Sequence, residues 1–382
     1  MDLELTREQK QYRAEFRHFV REELLPYAND YDKQGFIPRS LIDKLAEKGY
    51  LGAVIPTAYG GLGMDQVSYG LLNEEIGRAC SSSRSLITVH TSLTSETLLR
   101  WGTTAQKEQW LPLLAKGSTL AAFGLSEPGA GSDAAGIATA YLEQDGHYLL
   151  NGVKKWITFS QVAGLFVIVA TGAAGITAFL VERDTPGLTV QPLDGILGTR
   201  ASMLGEIHLK DCRVPAGNIL GRIGWGLQQI VNTALDNGRY SVACGSLGIG
   251  RACLEDSIEY AKSRSQFGKP LKDHQLIKQK ITNMVADVKA ASLLCRNAGY
   301  LRDKKNPDYV IQTTLAKYFA SRMANAAAAE AVQLHGALGC HDSLSIQRYF
   351  RDARVMEIIE GSTEIQQIII ADHSIAGLGA VL

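Results

Sequence analysis

The sequence predicts a mainly α-helical protein with a β-domain at its centre, in the order α, β, α along 382 residues. Three observations carry this. Apolar residues recur at helical spacing over the first third, strand-like alternation with dense Gly and Pro punctuation replaces it in the middle, and helical stripes return after Gly226. A chain of this length suits two or three domains of ~100–200 residues each. The changes of texture place them at 1–118, 119–225 and 226–382.

Thr6-Arg7-Glu8-Gln9 has the form of a capping box, and Tyr12, Phe16, Phe19, Val20 and Leu24 follow on one helical face until Pro26 ends the helix. Further helices are expected over 38–48, 65–78 and 104–116. In the middle third, Tyr148-Leu149-Leu150-Asn151-Gly152-Val153 and Gly205-Glu206-Ile207-His208-Leu209 alternate as strands. After Gly226, Leu276, Ile277, Ile281, Met284, Val285 and Val288 mark an apolar stripe, and 320–331 is rich in Ala, which favours helix and close axis approach. The span 162–181 lacks charge and is long enough to cross a bilayer, but Thr171-Gly172-Ala173-Ala174-Gly175 divides it into two short β-rich runs. Two buried strands are expected there, and no membrane span.

Apolar residues make up 46% and charged residues 20%, the balance of a globular protein. Lys+Arg and Asp+Glu both number 39, so no net field gathers nucleic acid or an anionic membrane. Six scattered cysteines (Cys80, Cys212, Cys244, Cys253, Cys295, Cys340) show no metal spacing and read as reduced, mostly buried thiols; no metal is expected. The N-terminal stretch from Met1 to Thr6 is acidic and lacks the order of a signal peptide, so a cytoplasmic location is expected.

Four segments could carry chemistry. The glycines of 123–133 allow backbone N–H groups to converge on an anion, with Ser126 and Ser132 as further donors; a plain turn closed by an Asx bond from Asp133 also accounts for them, and composition alone favours it. Trp156 beside Thr158 could cover a planar ligand or belong to the core. Arg264 near a helix end could bind phosphate or complement the helix dipole. Glu360 falls in a break between helices, with Gly361 fitting a C′ position and Thr363-x-x-Gln366 a second capping box. A carboxylate on such a corner, against Ile358 and Ile359, has the setting of a base with a raised pKa, though an isolated Glu at a helix end is more often solvated.

Together, "FGLSEPGAGSD", "NGVKKWIT", "SRSQFGKPLKDHQ", "QLHGALG" and "FRDARVMEIIEGSTEIQ" resemble the acyl-CoA dehydrogenase family across nearly the whole chain. The resemblance implies an N-terminal helical domain, a middle β-barrel or sandwich and a C-terminal four-helix bundle, with FAD between the last two. It implies that Phe123, Leu125 and Ser126 meet the flavin ring, that Gly131 and Ser132 lie near the pyrophosphate or the substrate's pantetheine, and that Trp156 and Thr158 cover the ring near N5. Arg264, Gln266, Phe267, Gln275, Gln333, Gly336 and Ala337 would reach the FAD of a partner subunit in a homodimer or homotetramer, and Ser362 and Glu364 the adenosine end. Asp236, Arg239 and Gly361 would border the substrate.

Such proteins place their base either at the Glu of the C-terminal motif, here Glu360, or on the helix carrying Arg239, where this chain has Gly238. The resemblance therefore implies that Glu360 takes the α-proton of an acyl-CoA or acyl-carrier-protein thioester while hydride leaves the β-carbon for flavin N5. Its own N–H and a ribityl hydroxyl would polarise the carbonyl. Electrons would pass to an electron-transfer flavoprotein or another acceptor. Two departures stand out: Phe159-Ser160 where Asn-Gly or Asn-Ala is usual, and Ala337 where Gly is common. "CSSSRSLITVH" and "MEIIEGSTE" look like the branch acting on carrier-protein thioesters to make hydroxymalonyl- or aminomalonyl-type units. An oxidase, a monooxygenase (against which an intact Glu360 argues) and a non-catalytic helical scaffold are the competing readings.

Overall fold

The capping box at Thr6 forms, its hydroxyl accepting from the Gln9 N–H and the Gln9 side chain accepting from the Thr6 N–H. It opens the first helix of the computed structural model, which describes residues 4–377; Met1, Asp2 and Leu3 of the acidic N-terminal stretch lie outside them. Seven α-helices build the N-terminal region: α1 (Arg7–Phe19), α2 (Ala28–Gln34), α3 (Arg39–Glu47), α4 (Gln66–Ala79), α5 (Ser81–Ile87), α6 (Glu96–Trp101) and α7 (Thr104–Ala115). Asp65 caps α4 and a second capping box at Thr103 and Gln106 starts α7, so local side-chain chemistry sets where these helices begin. Between α5 and α6 the chain continues as a π-helical segment, Thr88–Ser95, buried along its whole length.

That segment carries a seam between helix and sheet. His90 is fully buried, its Nδ1 accepting from the Ala121 N–H at 3.1 Å while its Nε2 donates to the Leu114 carbonyl at 3.0 Å. Burial drives its pKa down to about 4, so the neutral imidazole makes both bonds.

The middle region holds β1 (Ala121–Gly124), β2 (Ala140–Gln144), β3 (His147–Ile157), β4 (Leu165–Ala170), β5 (Thr177–Glu182), β6 (Leu188–Pro192), β7 (Gly205–Pro215) and β8 (Ile219–Leu220). They form two four-stranded sheets, ordered β1-β4-β5-β8 and β2-β3-β7-β6; β1 and β4 pair parallel, and the other paired strands of these sheets antiparallel. The uncharged span is two strands as expected: β4 and β5 pair antiparallel, and every residue of β4 is buried. Covered on both faces, β4 has no polar alternation. Among the described residues no helix is long and apolar enough to cross a membrane.

The C-terminal region consists of α8 (Asn232–Ser263), a short hairpin of β9 (Ser265–Gln266) and β10 (Lys269–Pro270), then α9 (Gln275–Asp303), α10 (Tyr309–His335), α11 (Ile346–Met356) and α12 (Thr363–Ile375). The Ala-rich part of α10 is buried, including Ala320, Ala324, Ala327, Ala328 and Ala331. The expected α9 stripe is only half an inward face. Met284 and Val288 are buried, but Leu276 is 72% exposed and Val285 also points outward. Five cysteines are buried free thiols and Cys340 is exposed.

Candidate active site

After α11 two cations and one side-chain amide hold the carbonyls of the chain break in place. The break is longer than the sequence expectation: α11 ends at Met356, and Glu360 (φ 55°) joins Gly361 (φ 87°) in left-handed conformation. The next helix is capped one residue earlier than expected, by Ser362 rather than Thr363, with the Ser362 hydroxyl accepting from the Ile365 N–H. Gln366, freed from the expected box, donates to the carbonyls of Glu360 (3.2 Å) and Gly361 (3.1 Å). Arg239 Nε donates to the Glu360 carbonyl at 3.2 Å, and Lys317 Nζ to that of Gly361 at 2.7 Å. A left-handed non-glycine residue costs on the order of 1–3 kcal/mol, and these donors hold it there.

The pinned corner turns the Glu360 side chain inward. The residue keeps some surface, but its Oε2 is buried and has no hydrogen-bond partner. It lies against α8 where Gly238 has no side chain: a Cβ there would sit 2.5 Å from Oε2 and 2.8 Å from Leu93 Cδ1 of the π segment. Burial raises the carboxyl to about 7, against the pull of Arg239, Arg84 and Lys317. Such a group is half ionised near neutral pH and has room to accept a proton.

A second cluster lies on the β-domain. Phe123, Leu125 and Ser126 run beside the end of β3: the Lys155 N–H donates to the Ser126 carbonyl at 2.8 Å, and Lys154 Nζ to that of Leu125 at 3.0 Å. The register of β3 against β7 slips between Lys154 and Ile157, and Trp156 takes φ 64°. Such a bulge re-aims a side chain, and here it leaves the Trp156 ring 52% exposed. Thr158 is half-buried beside it. Glu127 stabilises the loop that follows β1. It accepts from the N–H groups of Ala138 (2.6 Å) and Thr139 (3.0 Å) and pairs with buried Lys154 at 2.6 Å. Asp133 makes the Asx bond to Gly136 at 3.1 Å. Gly131 and Ser132 are exposed, and a Cβ at Gly131 would meet nothing.

The remaining expected residues lie elsewhere. Arg264, Gln266 and Phe267 form the exposed hairpin beyond α8, roughly 40 Å along that helix from Gly238. Gln333, Gly336 and Ala337 are exposed at the end of α10, joined to that end of α8 by stacking of Tyr260 on His335. Gln275 opens α9 beside the hairpin. Asp236 is buried and paired with Arg302, with Oδ1 left without a partner. Ser362 is committed to its cap, and Glu364 is exposed. Sequence reasoning missed Lys317, the Glu127–Lys154 pair and Arg84, and gave Gln366 a capping role it does not have, since a polar residue within a helical or strand pattern carries no sign of what it faces.

The surroundings suit a flat, mostly apolar ring system. Phe123 and Leu125 supply apolar surface, Ser126 and Thr158 hydroxyls, and Trp156 a half-exposed ring with Lys155 Nζ 5.1 Å from its centroid, while the buried Oε2 of Glu360 has no partner on the bundle side. Phe123, Leu125, Ser126, Trp156 and Thr158 have the chemistry that a flavin ring such as that of FAD needs.

Family models for the acyl-CoA dehydrogenase N-terminal, middle and C-terminal domains match residues 6–118, 122–212 and 224–375. A probable acyl-CoA dehydrogenase of Bacillus subtilis is 39% identical over 97% of this chain and 99% of its own. The mitochondrial short-chain specific acyl-CoA dehydrogenase of Rattus norvegicus is 38% identical over 97% and 91%. Among solved structures, butyryl-CoA dehydrogenase from Megasphaera elsdenii superposes with a TM-score of 0.95 at 35% identity, covering 98% of this chain and 100% of that one. A structure described as an electron transferring flavoprotein of Acidaminococcus fermentans gives 0.95 at 33% (98% and 99%). A glutaryl-CoA dehydrogenase from Mycobacterium smegmatis in complex with FADH2 gives 0.93 at 32% (99% and 97%). A prolyl acyl carrier protein oxidase (0.92, 30%, 97% and 100%) and a protein for biosynthesis of a methoxymalonyl extender unit (0.87, 33%, 96% and 99%) share the fold. The chain belongs to the acyl-CoA dehydrogenase family of oxidoreductases acting on CH–CH donors, with FAD as cofactor.

Proposed function

We propose that the chain dehydrogenates an acyl thioester with Glu360 as the base that removes the α-proton. The observation carrying this reading is the buried, unpartnered Oε2 of Glu360 on a pinned left-handed corner. Bound FAD supplies the acceptor for the hydrogen that leaves the β-carbon as hydride.

The chain's own residues do the rest. Arg239, Lys317 and Gln366 fix the corner, so the carboxylate meets the α-carbon without first reorganising. Among the described residues no acceptor is bonded to the Glu360 N–H, which leaves it to polarise the thioester carbonyl. A carboxyl near 7 is matched to a weak carbon acid better than an ordinary one, and general-base catalysis of this kind contributes roughly 10²–10⁴-fold.

The carrier is CoA in the first reading, supported by the relatives named for CoA thioesters. A carrier-protein thioester is the second, supported by the likeness to the two carrier-linked biosynthetic proteins. An electron-transfer flavoprotein is the proposed acceptor, in keeping with the Acidaminococcus likeness. Copies of the chain are proposed to associate as a dimer or tetramer, bringing the Arg264 hairpin of one to the flavin site of another. Phe267, 95% exposed at the hairpin tip, supports this.

Anaerobic titration of the purified yellow protein with acyl-CoA and acyl-carrier-protein thioesters tests the reading. Flavin absorbance is expected to bleach with one carrier class. A yellow protein that no thioester bleaches would overturn it.

A further inference from the structure

Lys154 and Lys155 are neighbours in sequence, and each is committed to a different carboxylate. Lys154 is buried and pairs with Glu127. Lys155 is partly exposed, and its Nζ meets Glu206 Oε1 of β7 at 2.6 Å. The other oxygen of Glu206, Oε2, lies 3.3 Å from His208 Nε2. The Lys155 ammonium holds the Glu206 carboxyl below the usual carboxylate range.

The same ammonium stands over the indole of Trp156, 5.1 Å from the ring centroid. Adjacent residues of a regular strand point to opposite faces and do not meet in this way. The register slip makes the contact possible: Lys154 pairs with Ile207 and Ile157 with Gly205, so Lys155 and Trp156 together stand opposite Glu206. A cation is attracted by the quadrupole of an indole, and one already fixed by a carboxylate has less freedom to lose in staying there. A ring has two faces. Lys155 takes one, yet the residue is still 52% exposed, which leaves the other face for a flat ligand. The Lys155 N–H donates to the Ser126 carbonyl at 2.8 Å, and so ties this assembly to the segment carrying Phe123, Leu125 and Ser126.

We propose that Lys155, anchored by Glu206, is a positioning residue: it holds the Trp156 indole from behind so that the opposite face walls the flavin, and the pair sets how readily the bound flavin is reduced. This rests on the flavin site described above. Receiving a hydride leaves the flavin one negative charge richer. An ammonium behind the indole therefore favours the reduced form, and the Glu206 carboxylate opposes it.

The test uses Lys155→Met, Lys155→Arg, Glu206→Gln and Trp156→Ala at one fixed pH. Titration of the apoprotein reads FAD affinity. Anaerobic equilibration of the holoenzyme with a reference dye reads the ratio of reduced to oxidised flavin. Lys155→Met should weaken FAD about fivefold, while Lys155→Arg, which keeps the charge, should retain most of the affinity. Lys155→Met should lower the reduced-to-oxidised ratio about threefold, and Glu206→Gln should raise it by a similar factor. A merely structural tether would move both variants the same way, and that outcome overturns the inference. So does a Lys155→Met protein with native affinity and ratio. An unmoved ratio in Glu206→Gln overturns it even where Lys155→Met fails to fold. Trp156→Ala tests the site beneath: FAD bound as tightly as in the native protein would remove Trp156 from the flavin site, and both readings would fall. Weakened FAD in Trp156→Ala, with the Lys155 and Glu206 variants silent, sinks this inference alone.

Discussion

Glu127 and Glu360 are both carboxylates withdrawn from water, and the molecule treats them in opposite ways. Glu127 has everything it can use: an ammonium from Lys154 and two backbone N–H groups. Burial alone would raise its pKa, but Lys154 and those donors outweigh burial and hold it below the ordinary carboxyl value. Glu360 has three cations nearby, yet they bond to backbone carbonyls or to other groups and leave Oε2 bare. Its pKa rises to about 7. Burial therefore does not distinguish a structural carboxylate from a chemical one. What distinguishes them is where the neighbouring donors are spent.

The sharpest way to break this contrast is to remove each charge. Glu360→Gln should keep FAD bound and lower the rate of flavin reduction by roughly 10³-fold; substantial residual reduction would move the base elsewhere. Lys154→Met should do the reverse. It strands Glu127, and denaturant unfolding should show a loss of about 3–5 kcal/mol, with much of it recovered on adding Glu127→Gln. If Lys154→Met left stability unchanged, the pair would not be holding the loop after β1.

Smaller effects sharpen the geometry. Gly238→Ala places a methyl in the volume of Oε2, so stopped-flow reduction should slow about 10²-fold while FAD affinity holds. The pH profile of reduction should rise with pH through about 7 and level off above, because only the ionised Glu360 accepts a proton. Arg239→Met removes the largest of the cationic influences and should move that limb to higher pH; a shift to lower pH would contradict the assigned cause.

The α–β–α order and the two strands in the uncharged span were legible because they rest on periodicity and punctuation, which are local. Glu360 was legible as a residue on a corner, since Gly361 and the following cap are short-range signals. Its conformation was not. The expectation put a left-handed residue at Gly361 and the cap at Thr363; the structure keeps Gly361 at positive φ but adds Glu360 before it, held there by Arg239, Lys317 and Gln366, and moves the cap to Ser362. Those three come from three different helices, so no window of sequence contains the reason. Trp156 was singled out, but the β3 register slip that exposes it depends on pairing with β7. The exposed Leu276 and Val285 continued an apolar stripe that a single chain does not bury. Arg84 was read only as a letter in a motif, since nothing around it in sequence announces that Gly245, far along the chain, leaves it a slot.

The imidazole bridging helix and sheet at His90 has a consequence for acid. An unfolded His takes a proton near pH 6.5, whereas this one resists until about 4, so its contribution is complete above 6.5 and drains away as pH falls toward 4. Once protonated, Nδ1 repels the Ala121 amide it now receives. Acidification should therefore unlatch the first strand from the helices packed on it, and unfolding midpoints measured across that interval should drop with it.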